Sequence, residues 1–227
     1  RVNLARATRL QATAALAEEG ITAIPHHLAN SALEVTGNAR KIQNGAAYQS
    51  GLVELQDASS QAVVQALPLT DGLRVLDFCA GGGGKTLALA VRARLKLFAH
   101  DADPRRMRDL PPRAARAGAK VTLTENPEKT APYDLILTDV PCSGSGSWRR
   151  DPEGKWRLTP DRLSALTTLQ ARIMDRAAAM MRPGGVLQGV FTDGDLRRAL
   201  DDEHTDLHAT PVSKLMGRAP KTIGPDA

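Results

Sequence analysis

Cysteine is nearly missing from this chain: only Cys79 and Cys142 occur in 227 residues. Two thiols in motif-like positions exclude a disulfide framework and fit a reducing compartment, so a cytoplasmic protein is expected. Long apolar runs are absent too. No stretch approaches the ~18 residues of a membrane span, and no secretory signal pattern is present. The chain opens on Arg1 rather than a methionine, so an N-terminal region is expected to be missing. Internal repeats are lacking as well. His204 and His208 have the i, i+4 spacing of a helical metal pair, but no third ligand accompanies them, and the adjacent His26 and His27 read as loop residues; no metal is expected.

What is present is ordinary globular composition with a basic balance. The chain is 42% hydrophobic and 24% charged, with a net charge of +5 and a pI near 9.5. That size supports one core plus an appendage, and the charge favours an acidic partner, nucleic acid first, with unpartnered solvated charge as the alternative.

The run RVLDFCAGGGGKT, residues 74 to 86, organises the rest. Val75, Leu76 and Phe78 predict a buried strand, Gly81 to Gly84 predict a sharp turn open to a ligand, and LALAVRARL predicts the following helix. The next apolar strand, LKLFAHD, closes on Asp101 and Asp103. A carboxylate about 20 residues beyond a glycine turn is placed to hold a ribose, and Asp101 is the preferred candidate. GGGGKT lacks the spacing of a phosphate loop and fits the dinucleotide fingerprint poorly. A cofactor with a ribose and no pyrophosphate, such as S-adenosylmethionine, suits it better.

Strand and helix patterns alternate from Gly51 onward. A helix lies in VELQDASSQAVVQAL, with Asp57 or Ser59 as its cap. Then follow the glycine-loop unit, LKLFAHD, the helix RRMRDLPPRAARAG interrupted by Pro111 and Pro112, KVTLTEN, YDLILTDVPC, a helix in TPDRLSALTTLQARIMDRAAAMM, and GGVLQGVF. Such alternation predicts an α/β fold, a Rossmann-like parallel sheet with helices on both faces and ligands at the carboxyl ends of its strands. Residues 1–50 differ in character and predict a small α+β subdomain. Its helix would bury Leu10, Ala14 and Leu16 and end at Gly20, with a loop and a strand following. Arg1, Arg6, Arg9, Arg40 and Lys41 could meet RNA phosphates or simply face water.

A second constellation, TDVPCSGSGSWRRDPEGKW, follows the strand YDLIL. It delivers Asp139, Pro141 and Cys142 to the same sheet edge as the glycine loop. Proline fixes the backbone before the thiol, and small residues after it admit a flat substrate. Trp148, Arg149, Arg150, Lys155, Trp156 and Arg157 then supply cations and rings for phosphate contact and base stacking.

These segments carry a family resemblance. CAGGGGKT resembles the loop CAAPGGKT, and DVPCSGSGSWRRDPEGKW resembles the DAPCSGTG…RR.P…KW motif, of the bacterial RNA 5-methylcytosine methyltransferases of the Sun/Fmu (RsmB) type and their NSUN relatives. RVNLAR and LQDASSQ resemble further segments of that family, and the resemblance spans Arg1 to about Leu187. It implies transfer of a methyl group from S-adenosylmethionine to carbon 5 of a cytosine in RNA, small-subunit ribosomal RNA above all, by a monomer. Position by position it implies that Cys79, Ala80, Gly81, Gly82, Gly83, Gly84 and Lys85 hold the methionine part of the cofactor and Asp101 its ribose. Glu125 falls where the family has an aspartate near the adenine, and Asp139 is the carboxylate beside the reacting groups. Arg149 and Arg150 would contact RNA.

Carbon 5 of cytosine becomes nucleophilic only after a thiolate adds at carbon 6. In the resembled family that thiolate belongs to a Thr-Cys pair after a Pro-Gly-Gly turn, whereas this chain continues MRPGGVLQGVFTDGD without a cysteine. The expected consequence is impaired catalysis, any remainder running through Cys142 assisted by Asp139. Residues 188–227 resemble instead a fragment of the CBS-domain region of arabinose-5-phosphate isomerases, with Thr192 and Asp195 resembling a ribose-binding pair. The division expected is therefore an RNA-facing subdomain at 1–50, a methyltransferase core at 51–187 and a chimeric tail at 188–227. A nucleotide-sensing module and a catalytically dead RNA-binding protein are the alternative readings.

Overall fold

The computed structural model describes residues 1–144 and 152–183. Its first unit packs helix α1 (Arg9–Glu18) against an antiparallel hairpin of β1 (Thr22–Pro25) and β2 (Leu33–Gly37). Thr8 starts α1 through a capping box: its hydroxyl accepts from Gln11 N while Gln11 Oε1 accepts from Thr8 N. The face that α1 buries is Ala12 and Leu16, packed with Val2, Ile21, Ala23, Ile42, Ala47 and Val53. Leu10 is 80% exposed and Ala14 is also exposed, so the expected apolar face through them is corrected. Val2 makes a single antiparallel bridge to Val53. A short helix α2 (Ala46–Gln49) closes this unit.

Helix α3 (Ala58–Gln65) leads into the sheet and is capped by Asp57, whose carboxylate accepts from Ser59 N. That settles the choice between the two cap candidates. The sheet contains β3 (Arg74–Asp77), β4 (Lys96–Ala99), β5 (Thr122–Leu123) and β6 (Leu135–Leu137), all parallel, in the order β5-β4-β3-β6. Between β3 and β6 the direction of winding reverses, which is where open α/β sheets bind ligands.

Period-two alternation along β3 builds both layers of the core. Val75 faces Val64, Ala88, Leu89 and Leu97, whereas Leu76 and Phe78 face Tyr133, Ala177 and Met180. In the first set Val64 belongs to α3, Ala88 and Leu89 to α4 (Gly84–Leu89) and Leu97 to β4; in the second, Ala177 and Met180 belong to α6 (Pro160–Met180) and Tyr133 precedes β6. Val75 and Leu76 are fully buried, each worth roughly 1.5–3 kcal/mol of apolar transfer. Helix α5 (Leu110–Ala117) adds Leu110 and Ala114 against Leu87 and Ala99. Pro111 and Pro112 sit in the first turn of α5 rather than interrupting a longer helix. Their missing N–H groups cost nothing there, so the prolines set its start. Helix α4 is also shorter than LALAVRARL suggested, stopping at Leu89.

Candidate active site

Strand β3 ends at Asp77, and the chain then turns through Phe78, Cys79 and Ala80 into the four glycines. Gly81 has φ +50° and Gly83 φ +80°, left-handed values that L side chains rarely adopt. Gly83 N donates to Ala80 O at 2.8 Å, which closes the turn. Around Gly81 and Gly82 a Cβ would meet only the tips of Arg106 at 3.5 Å and Arg113 at 3.3 Å. The loop thus keeps a shallow, side-chain-free cradle at the carboxyl end of the sheet.

Beneath that cradle lies Asp77, 1% exposed. Its Oδ2 accepts from the buried Thr86 hydroxyl at 2.6 Å, while Oδ1 has no hydrogen-bond partner among the described residues. Burial pushes the Asp77 carboxyl up to about 6, with the Thr86 hydroxyl and Lys85 pulling the other way. An orphaned buried acceptor beside an open glycine turn is the polar complement that a cationic, hydrogen-bond-donating group would need. The residues present therefore fit a cofactor with a cationic amino-acid portion.

Asp101, at the end of β4, is 3% exposed. Its Oδ2 accepts from Gly81 N at 2.9 Å and lies 3.3 Å from Arg106 Nη1; its Oδ1 accepts from Asp103 N at 3.0 Å. The carboxylate and the glycine turn are thus one hydrogen-bonded unit. Arg106, more than half exposed, caps it, and a ribose reaching Asp101 would have to move this guanidinium aside. Glu125 lies just past β5, exposed, on a groove of about 390 Å³ shared with Pro104, Met107, Arg108, Pro111, Leu123 and Thr124. None of the glycine-loop residues lines that groove.

The second constellation meets the first through one ion pair. Lys85 Nζ lies 2.7 Å from Asp139 Oδ2, which ties α4 to the segment after β6. Helix α6 holds that segment from the other side: Gln170 Nε2 donates to Pro141 O at 2.8 Å, and the Thr138 hydroxyl lies 3.7 Å from Met174 Sδ. The two thiols differ. Cys79 is partly buried and pushed up to about 12, first by burial and then by Asp101, Asp77 and Asp139. A thiol so hard to ionise is a poor nucleophile. Cys142 is exposed, in the segment that follows Asp139.

Arg106, Arg113 and Gln170 are neighbours of the site that the motifs did not single out, and Gln56, within the quoted LQDASSQ segment, joins them through Gly84 O. Arg149, Arg150, Trp148, Thr192, Asp195, His204 and His208 lie outside the described residues. Among the described residues no group of three or more His, Cys, Asp or Glu could hold a metal ion, and no helix is long and apolar enough to cross a membrane.

Comparison with known proteins gives this arrangement a family. The profile of the 16S rRNA methyltransferases RsmB/F matches residues 64–191. Ribosomal RNA small subunit methyltransferase B of Xanthomonas campestris is 35% identical over 96% of this chain and 54% of its own length. A methyltransferase homologue from Pyrococcus horikoshii superposes with a TM-score of 0.69 at 26% identity, over 89% of this chain and 68% of that one. NSun6 from Pyrococcus horikoshii, solved with SFG, shares the fold with a TM-score of 0.70 at 16% identity, over 88% and 78% of the two chains. The chain spans about half the length of the curated relative from Xanthomonas. With its Rossmann-like sheet, its glycine turn and the Asp139–Cys142 segment at one sheet edge, the chain belongs to the RsmB/F family of rRNA methyltransferases.

Proposed function

We propose that this chain is the S-adenosylmethionine-binding core of an RNA cytosine-5 methyltransferase, acting on small-subunit rRNA as a cytoplasmic monomer. The observation that carries the cofactor reading is the joined unit of Gly81 and Asp101, a buried carboxylate bonded directly to the left-handed glycine turn. When bound, the cofactor supplies an electrophilic methyl group on sulfonium. Residues 79 to 85 form its cradle, Asp101 accepts from its ribose hydroxyls, and Asp77 offers a buried acceptor to its cationic end. Glu125, on the groove beyond β5, borders the adenine.

Asp139 orients the target ring beside Lys85, and the arginine-tryptophan segment with Arg149 and Arg150 contacts the RNA backbone. The missing Thr-Cys pair leaves Cys142 as the sole thiol suited to attack, because Cys79 is held protonated by its surroundings. The division into an RNA-facing unit at 1–50, a core at 51–187 and a CBS-like tail at 188–227 belongs to the same proposal.

The test is calorimetric titration with S-adenosylhomocysteine. Asp101→Ala is expected to weaken binding by about 1–3 kcal/mol, the range for losing a charged hydrogen-bond partner. Unchanged affinity would remove Asp101 and the cofactor cradle from the account.

A further inference from the structure

Two side chains from outside the glycine turn reach its carbonyl groups, and a third reaches helix α4 beyond it. Arg113, on α5, donates to Gly82 O; Gln56, between the first unit and α3, donates to Gly84 O at 2.9 Å; Arg1 donates to Leu87 O at 2.9 Å. The Gly82–Gly83 peptide is thereby held at both ends, its carbonyl by Arg113 and its N–H by Ala80 O. Since a trans peptide points its C=O and N–H in opposite directions, fixing both ends fixes the plane.

Glu54 sets the place of Arg113. Its Oε2 lies 3.4 Å from Arg113 Nε and 2.8 Å from Arg116 Nη2, and its Oε1 accepts from Leu55 N at 3.0 Å. These side chains are 10% (Glu54), 19% (Arg113) and 18% (Arg116) exposed, so the cluster is shielded from solvent, unlike the exposed pairs Arg94–Asp71 and Arg105–Asp103. A charge-assisted donor held this way is stiffer than an exposed arginine tip.

We infer that Glu54 and Arg113 form a positioning pair for the cofactor loop: Glu54 aligns the guanidinium, and Arg113 fixes the Gly82 carbonyl from outside the site. This rests on the reading of that loop as the S-adenosylmethionine cradle. Neither residue is a catalytic group, and the segment preceding the sheet thereby becomes part of the cofactor site. Arg116 serves the same carboxylate without touching the loop, which makes it the internal control.

The experiment titrates the full chain with S-adenosylhomocysteine and records the melting temperature of each variant. Arg113→Met retains the Glu54–Arg116 pair and is expected to weaken binding about tenfold with little change in melting temperature. Arg113→Lys keeps a donor of similar length and is expected to recover most of that loss. Arg116→Met is expected to lower stability and leave affinity within about twofold. Glu54→Gln, which loosens Arg113 without removing it, is a second arm and is expected to weaken binding about threefold. Equal losses for the methionine and lysine variants would show mere packing and overturn the inference. So would parental affinity in Arg113→Met alongside a weakened Asp101→Ala control. Parental affinity in both would overturn the cofactor reading itself and the inference with it.

Discussion

At Asp77 burial and charge pull against each other. The carboxyl is nearly inaccessible, has one hydroxyl donor and one orphaned oxygen, and is pushed up to about 6. A folded value above the unfolded one means that the native state binds the proton more tightly. The stabilising contribution is therefore complete below the unfolded value near 4 and is lost as pH rises through about 6. Asp77→Asn keeps the shape and removes the titration. The expected outcome is that wild type loses stability relative to Asp77→Asn between pH 4 and pH 6.5, by no more than about 3 kcal/mol. Denaturant midpoints at several pH values check this, and a pH-independent difference would contradict it. Lys85, the nearest cation, is engaged by Asp139 at the surface of the site and relieves Asp77 only in part.

The glycine turn behaves as an element, and its members differ in what they tolerate. Gly82 has open space apart from the Arg113 tip, whereas a Cβ on Gly83 would fall 2.3 Å from Leu110 Cδ1, a fully buried residue of α5, at φ +80°. Valine at Gly82 is expected to reduce S-adenosylhomocysteine binding at least about tenfold with a modest stability loss. Valine at Gly83 is expected to cost several kcal/mol of stability through strain and overpacking together. Comparing binding and melting for the two variants checks the distinction; equal destabilisation would contradict it.

The strands of the sheet were legible for a physical reason. Val75, Leu76, Leu97 and Leu135 stand in short apolar runs that close on polar turns, so pattern and burial coincide. Element ends were less legible: α4 stops at Leu89, and Pro111 and Pro112 start α5, because packing and backbone chemistry decide ends. Strand β1 went unread since its burial alternates with nothing, only Ala23 being buried. In the site, Asp101, Asp139 and the glycines announced themselves by position. Arg113, Gln56 and Gln170 reach backbone carbonyls 28 to 31 positions away, for which no local spacing exists, and Arg106 pairs with the Asp101 carboxylate.

The whole molecule joins two cores at one loop. The segment between the first unit and α3 supplies Gln56 and Glu54 near the glycine turn, the sheet supplies the cradle, and α6 holds the Asp139–Cys142 segment against it. The family assignment covers this combination, yet the chain has no cysteine beyond Cys142. Slow methyl transfer through that thiol is the central expectation of the proposed function, since Cys79, the other thiol, is pushed up to about 12 and is a poor nucleophile. RNA carrying 5-fluorocytosine tests it most directly, because a ring without a proton at carbon 5 retains the covalent adduct after methylation. The account predicts an adduct that requires S-adenosylmethionine and disappears in Cys142→Ser; an adduct that persists in Cys142→Ser would contradict it.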